Sequence, residues 1–242
     1  YKRQVLIIAN LLRREDECNL SVRKIRLHKD AAKSVLLIGL PTGIQNAIFA
    51  IANLFVHMGV NSFDTVMVSG NSAANADTVI FNILNAFYTA CASFIGQNRG
   101  AGKKERMKKS YFISLFYGAG VAALAGGVLL LSGRQFLSLF ANNTEVIDAG
   151  MQRLRIMGFS FVMAPFMDCT IAASRGLGKS VVPTVIVVMG SCVFRVIWIY
   201  TVFAYFHTIP SLYLLYIFSW TITAVAEGLY FSIVYKKTVQ RM

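Results

Sequence analysis

Histidine and cysteine are too few and too scattered in this chain to build a catalytic or metal centre. Cys18, Cys91, Cys169 and Cys192 form no CxxC pair and have no histidine at ligand spacing, so neither a zinc site nor a disulfide framework is indicated. Three of the four lie inside apolar runs, where a thiol packs as a small core residue. Gly-x-Ser-x-Gly and His-Glu-x-x-His are both absent, and the histidines, His28, His57 and His207, stand apart from any activated nucleophile. An intramembrane enzyme is therefore a weak reading, and no catalytic or metal-ligating residue is assigned. Charge is also scarce: 14% of the residues are Asp, Glu, Lys or Arg, against about 25% in soluble domains. Nor does any filter-like carbonyl loop or charge ring mark a channel.

Long apolar runs take the place of charge. Hydrophobic residues make up 56% of the chain, and the mean hydropathy is +0.57. Six runs are long enough for the ~20 residues that cross ~30 Å of hydrocarbon. They lie at about residues 32–57, 78–95, 111–131, 152–174, 181–206 and 212–235. The net charge of +13 would suit nucleic acid only if it covered a folded soluble surface. Here the basic residues collect in the gaps between runs. The loop Phe94 to Lys109 holds six of them against one acid, and twenty of the 24 fall on one side of a six-span topology. Such asymmetry makes that side cytoplasmic, with both termini on it, in a multi-pass plasma-membrane protein that binds no nucleic acid. Arg153 and Arg155, near the outer end of the fourth span, are expected to snorkel to headgroups. Asn142-Asn143-Thr144 is a formal glycosylation sequon on the outer side.

Several spans carry polar residues at helical spacing. The first gives Thr42, Asn46, Asn53 and His57; the second gives Asn75, Thr78, Asn82, Asn85, Thr89, Ser93 and Gly96. Residues three and four apart share a face, and an amide in hydrocarbon is costly unless paired or wetted. These stripes are either glue between helices or the lining of a partly aqueous cavity. Two stripes on adjacent spans favour the cavity, with Gln45, Asn46, Asn53, Asn82, Asn85 and Thr89 as substrate candidates. Each of the last three spans holds one ionisable group: Asp168, Arg195 and Glu227. Intramembrane carboxylates are ion-pathway candidates, so Asp168 and Glu227 are the ion-coupling candidates. An Arg195–Glu227 pair would have to bridge roughly 10 Å of depth. Pro41, Pro165 and Pro183 are expected to bend three of the spans.

These landmarks converge on a known family. Gly39-Leu40-Pro41-Thr42-Gly43-Ile44-Gln45 opens the first span, and Gly96-Gln97-Asn98-Arg99-Gly100-Ala101-Gly102 with its basic continuation closes the second. Ser174-Arg175-Gly176-Leu177-Gly178-Lys179 precedes Pro183, and Arg195 follows inside the fifth span. In order and spacing the chain resembles the C-terminal half of a MATE (multidrug and toxic compound extrusion) transporter, of the MOP flippase superfamily. The resemblance implies an all-α integral membrane fold: a six-transmembrane-helix bundle equivalent to one lobe of a twelve-helix transporter. Residues 1–12 would be the end of a truncated preceding helix, 13–31 a cytoplasmic inter-lobe linker, 32–236 the six-helix lobe and 237–242 a cytoplasmic tail. The implied activity is antiport: drugs, organic cations or metabolites leave against inward Na⁺ or H⁺, with no cofactor. Implied partners are the missing N-terminal lobe of the same polypeptide, the lipid bilayer and a small, cationic substrate. In the sodium-coupled branch the carboxylates fall where this chain has Phe49 and Ala164, so coupling through the absent lobe is the expectation. A lipid-linked oligosaccharide flippase of the same superfamily is the alternative.

Overall fold

The computed structural model of the chain describes residues 2–14, 16, 20, 21, 26, 28–74 and 78–242. Cys18, Asn75 and the side chain of Thr78 lie outside the described residues. Two units are distinguished, Tyr1–Leu37 and Ile38–Met242. The first contains α1 (Lys2–Arg13) and the beginning of α2 (Lys29–Asn61). The second contains the remainder of α2 and all that follows.

Every regular element among the described residues is a helix. A short α3 (Thr65–Ala73) follows α2, then α4 (Thr78–Gly100), α5 (Lys104–Ser138) and α6 (Thr144–Gly176). The last two are α7 (Val181–Phe206) and α8 (Ile209–Arg241). Five of them, α2, α5, α6, α7 and α8, are long and apolar enough to cross a membrane by length and composition. The sixth expected span is α4, whose 23 residues rise about 34 Å, and whose amides lower its hydropathy. The gap after the first span is not simply a loop: Asp64 caps α3, its Oδ1 accepting from the Met67 N–H at 2.9 Å, and α3 packs on α6.

Helix α6 is the centre of the bundle. Of its most apolar stretch 67% is buried, against 11–44% for the other four, and α3, α4, α5 and α8 all pack on it. Lipid gives packed helices no hydrophobic advantage over separated ones, so close backbone approach through small residues has to hold them. A Cβ added to Gly126 of α5 would stand 2.8 Å from the Gly158 carbonyl oxygen of α6, and one added to Gly70 of α3 would stand 2.7 Å from the Gly150 nitrogen. Phe161, Leu84 and Leu215, from α6, α4 and α8, are wholly buried in one hydrophobic core. Cys91, Cys169 and Cys192 are buried free thiols.

The prolines differ in their effects. Pro41 and Pro165 stand inside α2 and α6, but Pro183 is the third residue of α7. An N–H in the first turn has no intrahelical partner to lose, so Pro183 starts the helix and does not bend it. Distortion in α7 comes instead from two π-helical stretches, Val188–Val193 and Ile199–Phe203, on either side of Arg195.

Packing of this kind makes a sharp stability prediction. Gly126→Ala should destabilise the protein by about 1–3 kcal/mol through overpacking against a backbone carbonyl. Gly120→Ala, where a Cβ meets nothing within 4 Å, should be neutral or stabilising by up to ~1 kcal/mol. Thermal unfolding of both variants in detergent measures the difference; equal melting temperatures would contradict the close crossing.

Candidate functional site

Several polar groups of the spans gather in a half-open cavity, and others at a tethered helix crossing. The cavity has a volume of about 350 Å³. Its polar wall consists of Asn53 and His57 from α2, Asn71 from α3, Arg153 and Asp168 from α6, and Arg195 from α7. Its apolar wall includes Phe49, Phe81, Tyr213, Tyr216 and Trp220.

Arg195 is held most firmly. It is 2% exposed, and its Nη1 donates to Asn53 Oδ1 at 3.0 Å. The guanidinium lies 5.1 Å from the Phe49 ring centroid and 4.6 Å from that of Tyr216, in the range where the ring quadrupole attracts a cation. Its Nε has no hydrogen-bond partner among the described residues. The Arg195–Glu227 pair does not form, because the difference in depth leaves each with a different neighbour. Arg195 goes to Asn53, whereas Glu227, wholly buried, has Arg175 as its charged neighbour.

Arg153 does not snorkel. It is buried against the cavity, its Nη1 donating to the Asn71 carbonyl at 2.7 Å and to Asn71 Oδ1 at 3.0 Å. Tyr213 donates to the same Oδ1 at 2.5 Å. Arg155, two residues on, is exposed, since two residues on a helix turn the side chain about 200°. Snorkelling therefore suits Arg155 alone.

Asp168 lines the cavity and has Arg175, Tyr88 and Arg195 as its polar neighbours. Arg175 and Arg195 lie beyond ion-pair distance of Asp168, and Arg175 beyond that of Glu227, since the ion pairs among the described residues are Arg14–Asp16 and Arg134–Asp148, both at exposed positions. Neither carboxyl oxygen of Glu227 has a hydrogen-bond partner among the described residues. An unsatisfied buried group of this kind costs about 1–3 kcal/mol. No cluster of three or more His, Cys, Asp or Glu suited to a metal occurs among the described residues.

At the basic end of the bundle, two loops share one geometry. In the first, the Gly102 N–H bonds to the Arg99 carbonyl and Lys103 N–H to that of Asn98; in the second, Gly178 bonds to Arg175 and Lys179 to Ser174. Gly102 and Gly178 take φ of +70° and +71°, which glycine adopts without steric penalty. Both are Schellman caps on the repeated sequence Arg-Gly-x-Gly-Lys. That repeat, 99–103 and 175–179, is the sequence signal that would have linked the two motifs. Arg99 of the first loop donates to the Leu177 carbonyl of the second at 2.8 Å. Arg175 in turn donates to Gln45 Oε1 of α2 at 2.8 Å. A Cβ on Gly176 would meet the Ala92 carbonyl at 2.6 Å, and Gly96 packs on the other side of that crossing. Gln97 and Gly100 are exposed beside it.

The six substrate candidates therefore separate. Asn53 lines the cavity, and Gln45 is taken up by Arg175. Asn46 lies in an open groove between α2, α4 and α6, while Asn82, Asn85 and Thr89 line a shallow depression on α4. All four of these are exposed on this lobe.

Residues 41–201, more than half of the chain, match the MatE family model. The chain belongs to the MatE family. It is 24% identical over 165 residues to a probable multidrug resistance protein NorM from Thermotoga maritima, covering 64% of this chain and 33% of that protein. It is similar in structure to a MOP superfamily transporter from Pyrococcus furiosus, described as having a binding pocket of reversed polarity, with a TM-score of 0.86, 18% identity and 98% of this chain covered. An outward-facing multidrug resistance MATE transporter of the MOP superfamily matches with a TM-score of 0.86, 18% identity and 99% coverage. The chain spans 54–55% of the length of these two solved transporters, as one lobe of a multi-pass membrane protein does. These MatE relatives do not favour the flippase alternative.

Exposure in this lobe is not the same as hydration. Cysteines placed at Asn46, Asn82 and Asn85 should react with a water-soluble thiol reagent in membranes, whereas cysteines at Leu124 and Leu131, 70% and 91% exposed, should not. Equal labelling of both sets would contradict a wet face on α2 and α4.

Proposed function

We propose that this chain is the C-terminal lobe of a secondary antiporter that exports small organic molecules against inward Na⁺ or H⁺. An N-terminal lobe of the same polypeptide would cover the α2–α4 face, and rocking of the two would open the space between them to each side in turn. The basic loops would face the cytoplasm, residues 13–31 linking the lobes and 237–242 forming a short tail. The observation that carries this reading is the coincidence, in a MatE chain, of a half-open polar cavity with an intramembrane carboxylate in its wall. Asp168 is the coupling candidate with access to that cavity. Glu227, wholly buried, lies outside the cavity lining and has Arg175 as its charged neighbour. No cofactor is required, because the ion gradient supplies the energy.

The resemblance implies a cationic substrate, but Arg195 favours a second reading for this half of the site. Its guanidinium already occupies the faces of Phe49 and Tyr216, where a cationic ligand would otherwise dock. The remaining aromatic wall suits a neutral or anionic aromatic group near Arg195, any cationic group being held elsewhere.

The full-length polypeptide, with both lobes, in proteoliposomes loaded with a cationic or an anionic fluorescent dye, tests both readings. Efflux driven by a Na⁺ gradient or a pH gradient is expected, and the responding gradient names the ion. Preference for the anionic dye supports the second reading, and preference for the cationic dye removes it. Failure of both gradients with both dyes would contradict antiport.

A further inference from the structure

A groove on the lipid-facing side of the bundle, separate from the cavity, has the features of a ligand site. It runs between α5 and α8, with a volume of about 590 Å³. Its length is bounded along α8 by Val225 and Lys236, eleven residues that rise about 16 Å. That is roughly half of the ~30 Å hydrocarbon core, the depth of one leaflet. The walls are apolar and aromatic: Phe112 and Tyr111 from α5, Leu229 and Phe231 from α8. The groove is structurally fixed. Tyr111 and Phe231 are packed with ring centroids 4.7 Å apart, and the Tyr111 hydroxyl is bonded to Thr170 of α6 at 2.9 Å. Ser232, the one small hydroxyl in the lining, is satisfied by its own helix, donating to the Gly228 carbonyl at 2.8 Å. Gly228 keeps the middle open, since a Cβ there would meet nothing within 4 Å.

Charge stands at one end only. Lys108 and Lys236 both line the groove there and are exposed, and no carboxylate lies in its lining. An apolar slot one leaflet deep, closed by two cations at the basic face, is complementary to an acyl chain joined to an anionic headgroup. We propose that this groove binds an anionic phospholipid, one acyl chain lying along Gly228 and the phosphate held between Lys108 and Lys236. The lipid would tie α5 to α8 at the end where Tyr235 already donates to the Lys104 carbonyl at 3.1 Å.

Native mass spectrometry of the purified protein, with phosphatidylglycerol or phosphatidylcholine added, tests this directly. Phosphatidylglycerol should be retained about tenfold more than phosphatidylcholine. Lys108→Ala/Lys236→Ala should abolish that preference, and Gly228→Leu should lose both lipids by filling the slot. Lys109→Ala/Lys237→Ala, on the same basic face but outside the groove lining, should leave retention intact. Equal retention of the two lipids, an unaffected Gly228→Leu, or an equal loss in the Lys109/Lys237 control would overturn the proposal. So would a dimeric mass lost with Gly228→Leu, which would assign the groove to a second copy of the chain.

Discussion

Close backbone approach along α6 is the constraint on which the rest of the lobe depends. At Gly176 a side chain would run into the Ala92 carbonyl, and at Gly150 and Gly158 it would press on Leu137 and Leu130, so neighbouring helices come near enough to exchange dispersion contacts that lipid cannot match. Such burial would be routine for an apolar helix. Yet α6 also carries Arg153, Asp168 and Arg175, which at about 100° per residue fall within roughly 60° of one another. The helix that must be most buried is thus the one with the most intramembrane charge. The cavity brings polar groups of α2, α3 and α7 to Arg153 and Asp168, while Arg175 finds Gln45 of α2 outside it.

The two basic loops extend that constraint to the end of the bundle. Arg99 reaches across to the Leu177 carbonyl while Arg175 reaches to Gln45 in the middle of α2, so α2, α4 and α6 are joined by two arginine hydrogen bonds beside the caps of α4 and α6. Hydrogen bonds from a charged donor are the stronger kind, about 1.5–3 kcal/mol, and these two sit where helix ends would otherwise fray. Movement within a transporter then falls more naturally to the whole lobe than to its separate helices. The π-helical stretches of α7 are the exception. They flank Arg195, and π-bulges of this sort commonly mark functional positions inside otherwise regular helices.

Much of the fold was legible because charge-free runs and basic gaps follow directly from the cost of charge in hydrocarbon. The positions of Asp168, Asn53 and Arg195 in one cavity were only partly legible. Helical spacing placed Asn53 on a polar face, but pairing it with Arg195 required knowing how α2 and α7 meet. Arg153 was misread for the same reason: its sequence position near a span end suits snorkelling, and only the docking of α3 through Asn71 turns it inward. Polar stripes on α2 and α4 suggested a single lining, whereas Asn82 and Asn85 lie on a face separate from the cavity. The π-helical stretches left little sequence signal: Val188–Val193 offers only its Gly190-Ser191 pair, and Ile199–Phe203 is as apolar as the helix around it.

The central claim is that the charged face of α6 belongs to the ion pathway and is not a structural knot. Ion-driven export by Asp168→Asn, a substitution that keeps shape and hydrogen-bonding capacity, measures this most directly. The account expects a correctly folded protein with thermal stability near that of the parent, and loss of gradient-driven export by at least about tenfold. Export at the parent rate, under the same gradient, would contradict it.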